Sequence, residues 1–334
     1  MSALWKAWVA LWSKQETAEP VALFRIAVGL CIVMMLVHDI PNRGFIWVEH
    51  TDGGYRTILK TKRMMALLGG HTFTVVNGLL ATIVVTTITL ILGVFPRLSA
   101  LISLQCHLAL ASSGQPGGGQ DQLLHNALWL LVLARSDATL SLTARLRTKQ
   151  WRPAVMVSSW PRYLIIFQLL LLYQAAGYYK VSTHWHPGGD LRALYYALNT
   201  PIWNRWDFMT LWGMLFPLTQ VATLVSWLFE NLGPVLLLLA LCFRSTRTRS
   251  GRLRAAFNRL PVRNGFVLVG LSMHLGIWLM MEVGVYSPLA MAFYPCLFHP
   301  DELRAAGKRW LGSRHSSVSS PCQAEDAETS HTAG

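Results

Sequence analysis

Apolar residues run along this chain in long blocks, most of them approaching the roughly 20 residues that a helix needs to cross a bilayer. Val21 to His38 is broken only by Arg25, and Met64 to Pro96 contains no Asp, Glu, Lys or Arg. Leu98–Ala111 and Leu123–Ala134 are shorter, and Leu164–Tyr179 is strong. Phe208–Phe243 is interrupted only by Glu230 and is long enough for one tilted or broken helix. Asn264–Met281 and a short Val285–Phe298 complete the series. The pattern predicts an all-α fold, a polytopic integral membrane bundle of about eight spans, with seven as the alternative.

The ends read differently. Trp5, Trp8 and Trp12 fall at i, i+3 and i+7 with Lys6 and Lys14 nearby, the pattern of a helix lying on a membrane surface. The first 20 residues lack the cleavage pattern of a secretory signal. Residues 306–334 are Ser-rich and polar, the composition of a disordered tail. The expected organisation is therefore an interfacial helix over 1–19, a bundle over 20–305 and a tail.

Composition agrees with the pattern. Hydrophobic residues make up 53% and charged residues 13%, against about 25% charged in a soluble domain. The net charge of +13 would suggest nucleic acid on a soluble protein, but here basic residues sit between apolar runs and read as topology signals. Arg244, Arg247, Arg249, Arg252, Arg254, Arg259 and Arg263 form one acid-free loop, and Arg145, Arg147, Lys149 and Arg152 form another. Lys and Arg concentrate on cytoplasmic loops, so with eight spans both termini are expected in the cytoplasm. The 41–70 segment disagrees: Arg43, Arg56, Lys60, Lys62 and Arg63 would lie outside, mixed with Glu49 and Asp52. The five cysteines include no C-x-x-C pair and read as small apolar residues, not a disulfide framework.

Ionisable groups within spans are costly, and each is a functional candidate. Here they are Arg25, His107, His125, Lys180, Glu230, His274 and Glu282. Lys180 ends the run from Leu169, with Gly177 on the same helical face, and the topology places it near the exterior. It is either a snorkelling lysine or, in a dry pocket, a base. His125 begins span four at the same side. Arg25, near the inner surface, has Glu230, in the inner half of span six, as its natural partner. His274 reads as a helix–helix hydrogen-bonding group. His184 and His186 form a lone H-x-H, too weak for a metal site, and none is expected. No P-loop, G-x-G-x-x-G, G-x-S-x-G or H-E-x-x-H motif occurs.

Several stretches resemble the horizontally transferred transmembrane (HTTM) domain family, whose bundle is shared with vitamin K-dependent γ-glutamyl carboxylase. They are Phe24-Arg25 with Gly29 and then Thr51-Asp52-Gly53-Gly54; Tyr173 through Gly177 to Lys180, followed by Trp185, Gly188-Gly189 and Ala193–Leu198; and Met273-His274 through Glu282 and Tyr286 to Pro300. The second block is the most specific, and the resemblance covers roughly residues 20–305. It implies that Lys180 deprotonates a reduced prenylated quinone, with His125 beside it. Arg25, Tyr173, Gly177, His184, Trp185, Glu230 and His274 are candidates for the substrate or quinone pocket. It implies a quinone or peptide as substrate; the charge pattern independently places the site at the exterior face, and the expected setting is a bacterial plasma membrane with the lipid bilayer as partner and no nucleic acid. No large extramembrane domain follows the bundle in this sequence, so carboxylation of protein glutamates is not expected. The competing expectation is a non-enzymatic membrane factor for maturation, export or resistance of a secreted peptide. A transporter ranks last, since no matching pair of broken helices appears in two halves.

Overall fold

Periodicity explains where the first long helix turns its faces. In α1 (Glu19–Arg43), Val21, Phe24, Val28, Cys31, Ile32 and Met35 are buried at three- and four-residue spacing, while Leu30 and Val37 on the other face are exposed. A helix apolar on both faces belongs in a core or a bilayer, not at a water interface. The computed structural model describes residues 5, 9–10, 12–43, 47–54, 63–111, 119–206, 209–245 and 251–307, the side chains of 38–43, 209, 210 and 245 excepted. Trp8, Arg56, Lys60, Lys62, the glycines at 117–118, Arg247, Arg249 and the tail from 308 lie outside the described residues.

The fold is all-α apart from one small ribbon. After α1 come α2 (Arg63–Leu67), α3 (Phe73–Leu92), α4 (Pro96–Leu110), α5 (Gly119–Leu133), α6 (Leu142–Thr148) and α7 (Trp160–Tyr178). Then follow α8 (Ala193–Asn199), α9 (Met209–Met214), α10 (Phe216–Ser245), α11 (Arg252–Arg259), α12 (Val262–Met280) and α13 (Tyr286–Ala292). A 3-10 turn at Tyr294–Leu297 and a helix over 300–307 complete the described chain. Each of the eight apolar segments contains helix. Among the described residues, four stretches are long and apolar enough to cross a membrane: Glu19–Val37, Phe73–Leu92, Phe216–Arg244 and Val262–Met280.

Two apolar blocks are divided by local chemistry. Within Met64–Pro96 the chain breaks at Gly69 and Gly70, both at positive φ, before the Thr72 hydroxyl caps α3 by accepting from Val75 N–H at 3.3 Å. Phe208–Phe243 is divided into the single turn-and-a-half of α9 and the long α10. The amino-terminal segment also departs from one continuous surface helix. Trp5, Val9, Ala10 and Trp12 are helical, but Gln15–Thr17 is strand β1, antiparallel to β2 (Met156–Ser158).

α1 is the hub of the bundle, touching α3, α5, α7, α13 and the 3-10 turn. The end of the bundle where α1, α7 and α12 begin is tied by arginine–carboxylate pairs. Arg162, in the first turn of α7, forks onto Glu16 of β1 at 2.6 and 2.8 Å and donates to the Cys296 carbonyl at 3.0 Å. Arg304 meets Glu19 at 2.5 Å, and Arg263 forks onto Glu302 at 2.7 and 2.9 Å. That fork holds the Glu302 carboxyl below the usual carboxylate range. At the same end Arg25 is fully buried and gives Nη2 to the Leu140 carbonyl at 2.6 Å.

Gly93 makes that arginine site possible. It ends α3 in the left-handed region at φ +72, and a Cβ there would fall 1.8 Å from Arg25 Nη1 and 2.4 Å from the Ser141 Cβ. Gly276 in α12, by contrast, faces open space. Gly93→Ala should lower the thermal unfolding temperature of the purified protein, with a cost above about 1 kcal/mol. Gly276→Ala should leave it unchanged or raise it, since alanine favours a helix interior by roughly 0.5–1 kcal/mol. Equal behaviour of the two variants would contradict this packing.

Candidate functional site

One face of α7 carries Tyr173, Gly177 and, just past the last turn, Lys180, at i, i+4 and i+7. The missing side chain at Gly177 lets α10 approach: a Cβ there would sit 3.0 Å from the Asn231 side chain and from the Glu230 backbone. Lys180 Nζ consequently lies 2.5 Å from Glu230 Oε2, as an ion-pair contact more than a well-angled hydrogen bond, and it donates to Ser226 Oγ at 2.9 Å. The indole of Trp185 covers the ammonium, 4.2 Å from Nζ to the ring centroid. The two side chains are only 16% and 8% exposed, so the pair is largely shielded from solvent.

Pro234 lies four residues after Glu230 inside α10. It has no N–H to give to the Glu230 carbonyl, so it removes the helix bond at the turn that presents the carboxylate. Glu230 is fourteen residues before Arg244, or about 21 Å along the helix axis. It sits at the midpoint of Phe216–Arg244, the stretch of α10 long and apolar enough to cross a membrane. It does not pair with Arg25. The pair is Lys180–Glu230, and Arg25 serves the opposite end, with Leu140 as acceptor and Asp137 within electrostatic reach.

Below the ion pair runs a buried polar chain. The Tyr173 hydroxyl is 2.7 Å from His274 Nε2 and 2.6 Å from the Tyr294 hydroxyl, and His274 Nδ1 is 3.5 Å from Ser287 Oγ. Gly270 leaves room for the Tyr294 hydroxyl, which a Cβ would meet at 1.8 Å. Rings enclose the chain: Phe229 stands 4.9 Å and Phe266 5.7 Å from Tyr173, both edge-on. Tyr286 packs 6.0 Å from the His274 ring. Together these groups place an ion pair above a hydrogen-bonded His274–Tyr173–Tyr294 chain inside an aromatic wall.

Above the pair, the 183–192 segment forms a tight polar loop. His184 Nδ1 lies 2.7 Å from Asp190 Oδ1, and Arg192 N–H donates to the same oxygen at 3.2 Å. The His184 contact holds the Asp190 carboxyl below the usual range. Gln220 of α10 donates to the Asp190 carbonyl at 2.9 Å, and Thr223 accepts from Leu194 N–H at 3.2 Å, anchoring loop and α8 to α10. His186 Nδ1 accepts from Gly188 N–H.

Of the residues singled out from sequence, Lys180, Glu230, Gly177 and Trp185 meet directly, with Tyr173 and His274 in the layer beneath and His184 in the loop above. Arg25 is elsewhere. His125, on α5, faces His107 of α4. Reasoning from sequence missed Ser226, Tyr294 and Asp190. Ser226 had a signal, since it precedes Glu230 by one helical turn, and so did Pro234; Tyr294 had none in its own segment.

Removing one member of a shielded ion pair leaves the other charge uncompensated. Glu230→Gln should destabilise the purified protein by about 3–5 kcal/mol, whereas Lys180→Met combined with Glu230→Leu should cost much less. Thermal or denaturant unfolding of the two singles and the double checks this, and additive losses would refute direct coupling. No family model, curated protein or solved structure matches this chain.

Proposed function

We propose that the chain is a polytopic membrane protein of about eight spans, HTTM-like in its bundle, with Lys180 and Glu230 as a proton-transfer pair near the exterior face. The substrate proposed is a reduced prenylated quinone. The single observation that supports this reading is the shielded 2.5 Å contact between Lys180 Nζ and Glu230 Oε2 beneath the Trp185 ring. In a poorly solvated site, passing the proton from the ammonium to the carboxylate replaces two charges by two neutral groups, which offsets the cost of keeping ions out of water. The neutral amine is then a base for a phenolic hydroxyl, and ammonium re-forms beside the phenolate. The quinol anion reacts with oxygen to give quinone epoxide and hydroxide, and the hydroxide takes the ammonium proton to leave as water, which restores the neutral amine. The His274–Tyr173–Tyr294 hydrogen-bonded chain beneath the pair lines the buried side of the site with polar groups.

The arrangement of the chain supports the same topology. The Arg162, Arg263 and Arg304 ion pairs cluster with the basic loops at the end assigned to the cytoplasm, in a bacterial plasma membrane. His125 of α5 lies beside His107 of α4 and is given no step in this chemistry. A second reading has its own observation. Lys180 is already engaged by Glu230, Ser226 and Trp185, as a structural lysine joining α7 to α10 would be, in a scaffold that serves a secreted peptide.

Purified protein given reduced menaquinone and oxygen should form quinone epoxide, and Lys180→Ala should lower turnover at least about 100-fold while the protein still elutes as a folded species. Undiminished turnover in that variant, or none in the wild type, would rule the assignment out in favour of the scaffold.

A further inference from the structure

At the opposite end of the bundle a cleft of about 260 Å³ is lined by Phe95, Pro96, Arg97, Leu98, Arg135, Asp137 and Arg147. We infer that this cleft binds the phosphate of an anionic phospholipid headgroup, with Arg97, Arg135 and Arg147 as the cationic walls.

Its position fits a headgroup. The cleft opens where the membrane-length helix α3 ends and α4 begins, so it lies at the edge of the apolar layer. Phe95 and Leu98 are 73% and 56% exposed beside the arginines, and Leu92, one turn earlier, also faces outward. An apolar rim next to guanidinium groups suits an amphiphile, whose acyl chains would follow the outer face of α3 while the phosphate enters the cleft. A free anion has no use for the rim.

Its charge is not already spent. The other arginines of this end, Arg162, Arg263 and Arg304, are matched to Glu16, Glu302 and Glu19. Arg97 donates Nε to the Ala134 carbonyl at 3.2 Å, which fixes the side chain and leaves its two terminal nitrogens for a ligand. Among the described residues Arg135 and Arg147 have no carboxylate partner. The one acid in the lining, Asp137, also lies within electrostatic reach of the buried Arg25 guanidinium. Three arginines thus line the cleft against one acid. Guanidinium forks match phosphate oxygens in pairs, which favours a phosphate over a carboxylate lipid.

The test uses the full chain in nanodiscs of phosphatidylcholine with or without phosphatidylglycerol, read by native mass spectrometry and by tryptophan quenching with a brominated phosphatidylglycerol. Phosphatidylglycerol should stay bound preferentially to the wild type. Arg135→Gln with Arg147→Gln, both exposed side chains, should weaken it about 30-fold. Arg252→Gln with Arg259→Gln, which removes the same charge from α11, should change it less than about threefold. Equal weakening by the two pairs of substitutions would show diffuse surface attraction, and would overturn the proposal. So would equal retention of phosphatidylcholine, or competition by millimolar inorganic phosphate, which would mark a free-anion site.

Discussion

A charge in hydrocarbon must be paired or be expelled, and the interior of this protein is arranged around that constraint. The outward faces of its long helices are apolar, as with Leu30 and Val37 on α1, so only inward faces can hold polar groups. There, lysine and arginine find carboxylates or carbonyls at short distance. Arg162 forks onto Glu16, Arg25 reaches the Leu140 carbonyl, and Lys180 meets Glu230. Each such contact joins elements far apart in sequence, so solving the charge problem also fixes which helices are neighbours.

The two ends of the bundle solve it differently. At the end where α1, α7 and α12 begin, bidentate arginine–carboxylate forks tie β1, the helix starts and the 300–307 helix into a rigid plate. Near the other end, which also carries an Arg205–Glu282 contact at 3.2 Å, a lysine–glutamate pair stands between a tight polar loop and an aromatic wall, next to a helix turn weakened by Pro234. Bidentate guanidinium pairs are geometrically fixed, whereas an ammonium is a point charge that can lose its proton. Rigidity at one end and a transferable proton at the other is the division of labour on which the proposed chemistry rests.

Much of this was legible in the residue order. The apolar blocks located every major helix, and the scarcity of charge made Lys180, Glu230 and Arg25 conspicuous. Gly177 and Lys180 share a face by spacing alone. What the order could not supply was partner choice. Arg25 and Glu230 looked complementary because both sit in apolar runs, but a one-dimensional pattern does not say which helices touch, and each has another partner. The division of Met64–Pro96 was written in Gly69 and Gly70, which a count of apolar residues passes over. The strand at Gln15–Thr17 depends on pairing with Met156–Ser158, a partner 140 residues away in the chain. Tyr294 reaches Tyr173 only because Gly270 leaves space on a third helix, a three-body fact with no local signature.

The central claim is that the Lys180–Glu230 pair serves a bound quinol. Its most direct test is mass spectrometry of lipid extracted from the protein purified out of its native membrane. A prenylated quinone at close to one per chain in the wild type, lost from Lys180→Met that remains folded, is the result expected. A wild type that carries no quinone, or a variant that retains it undiminished, would contradict the account and leave the pair as a structural tie between α7 and α10.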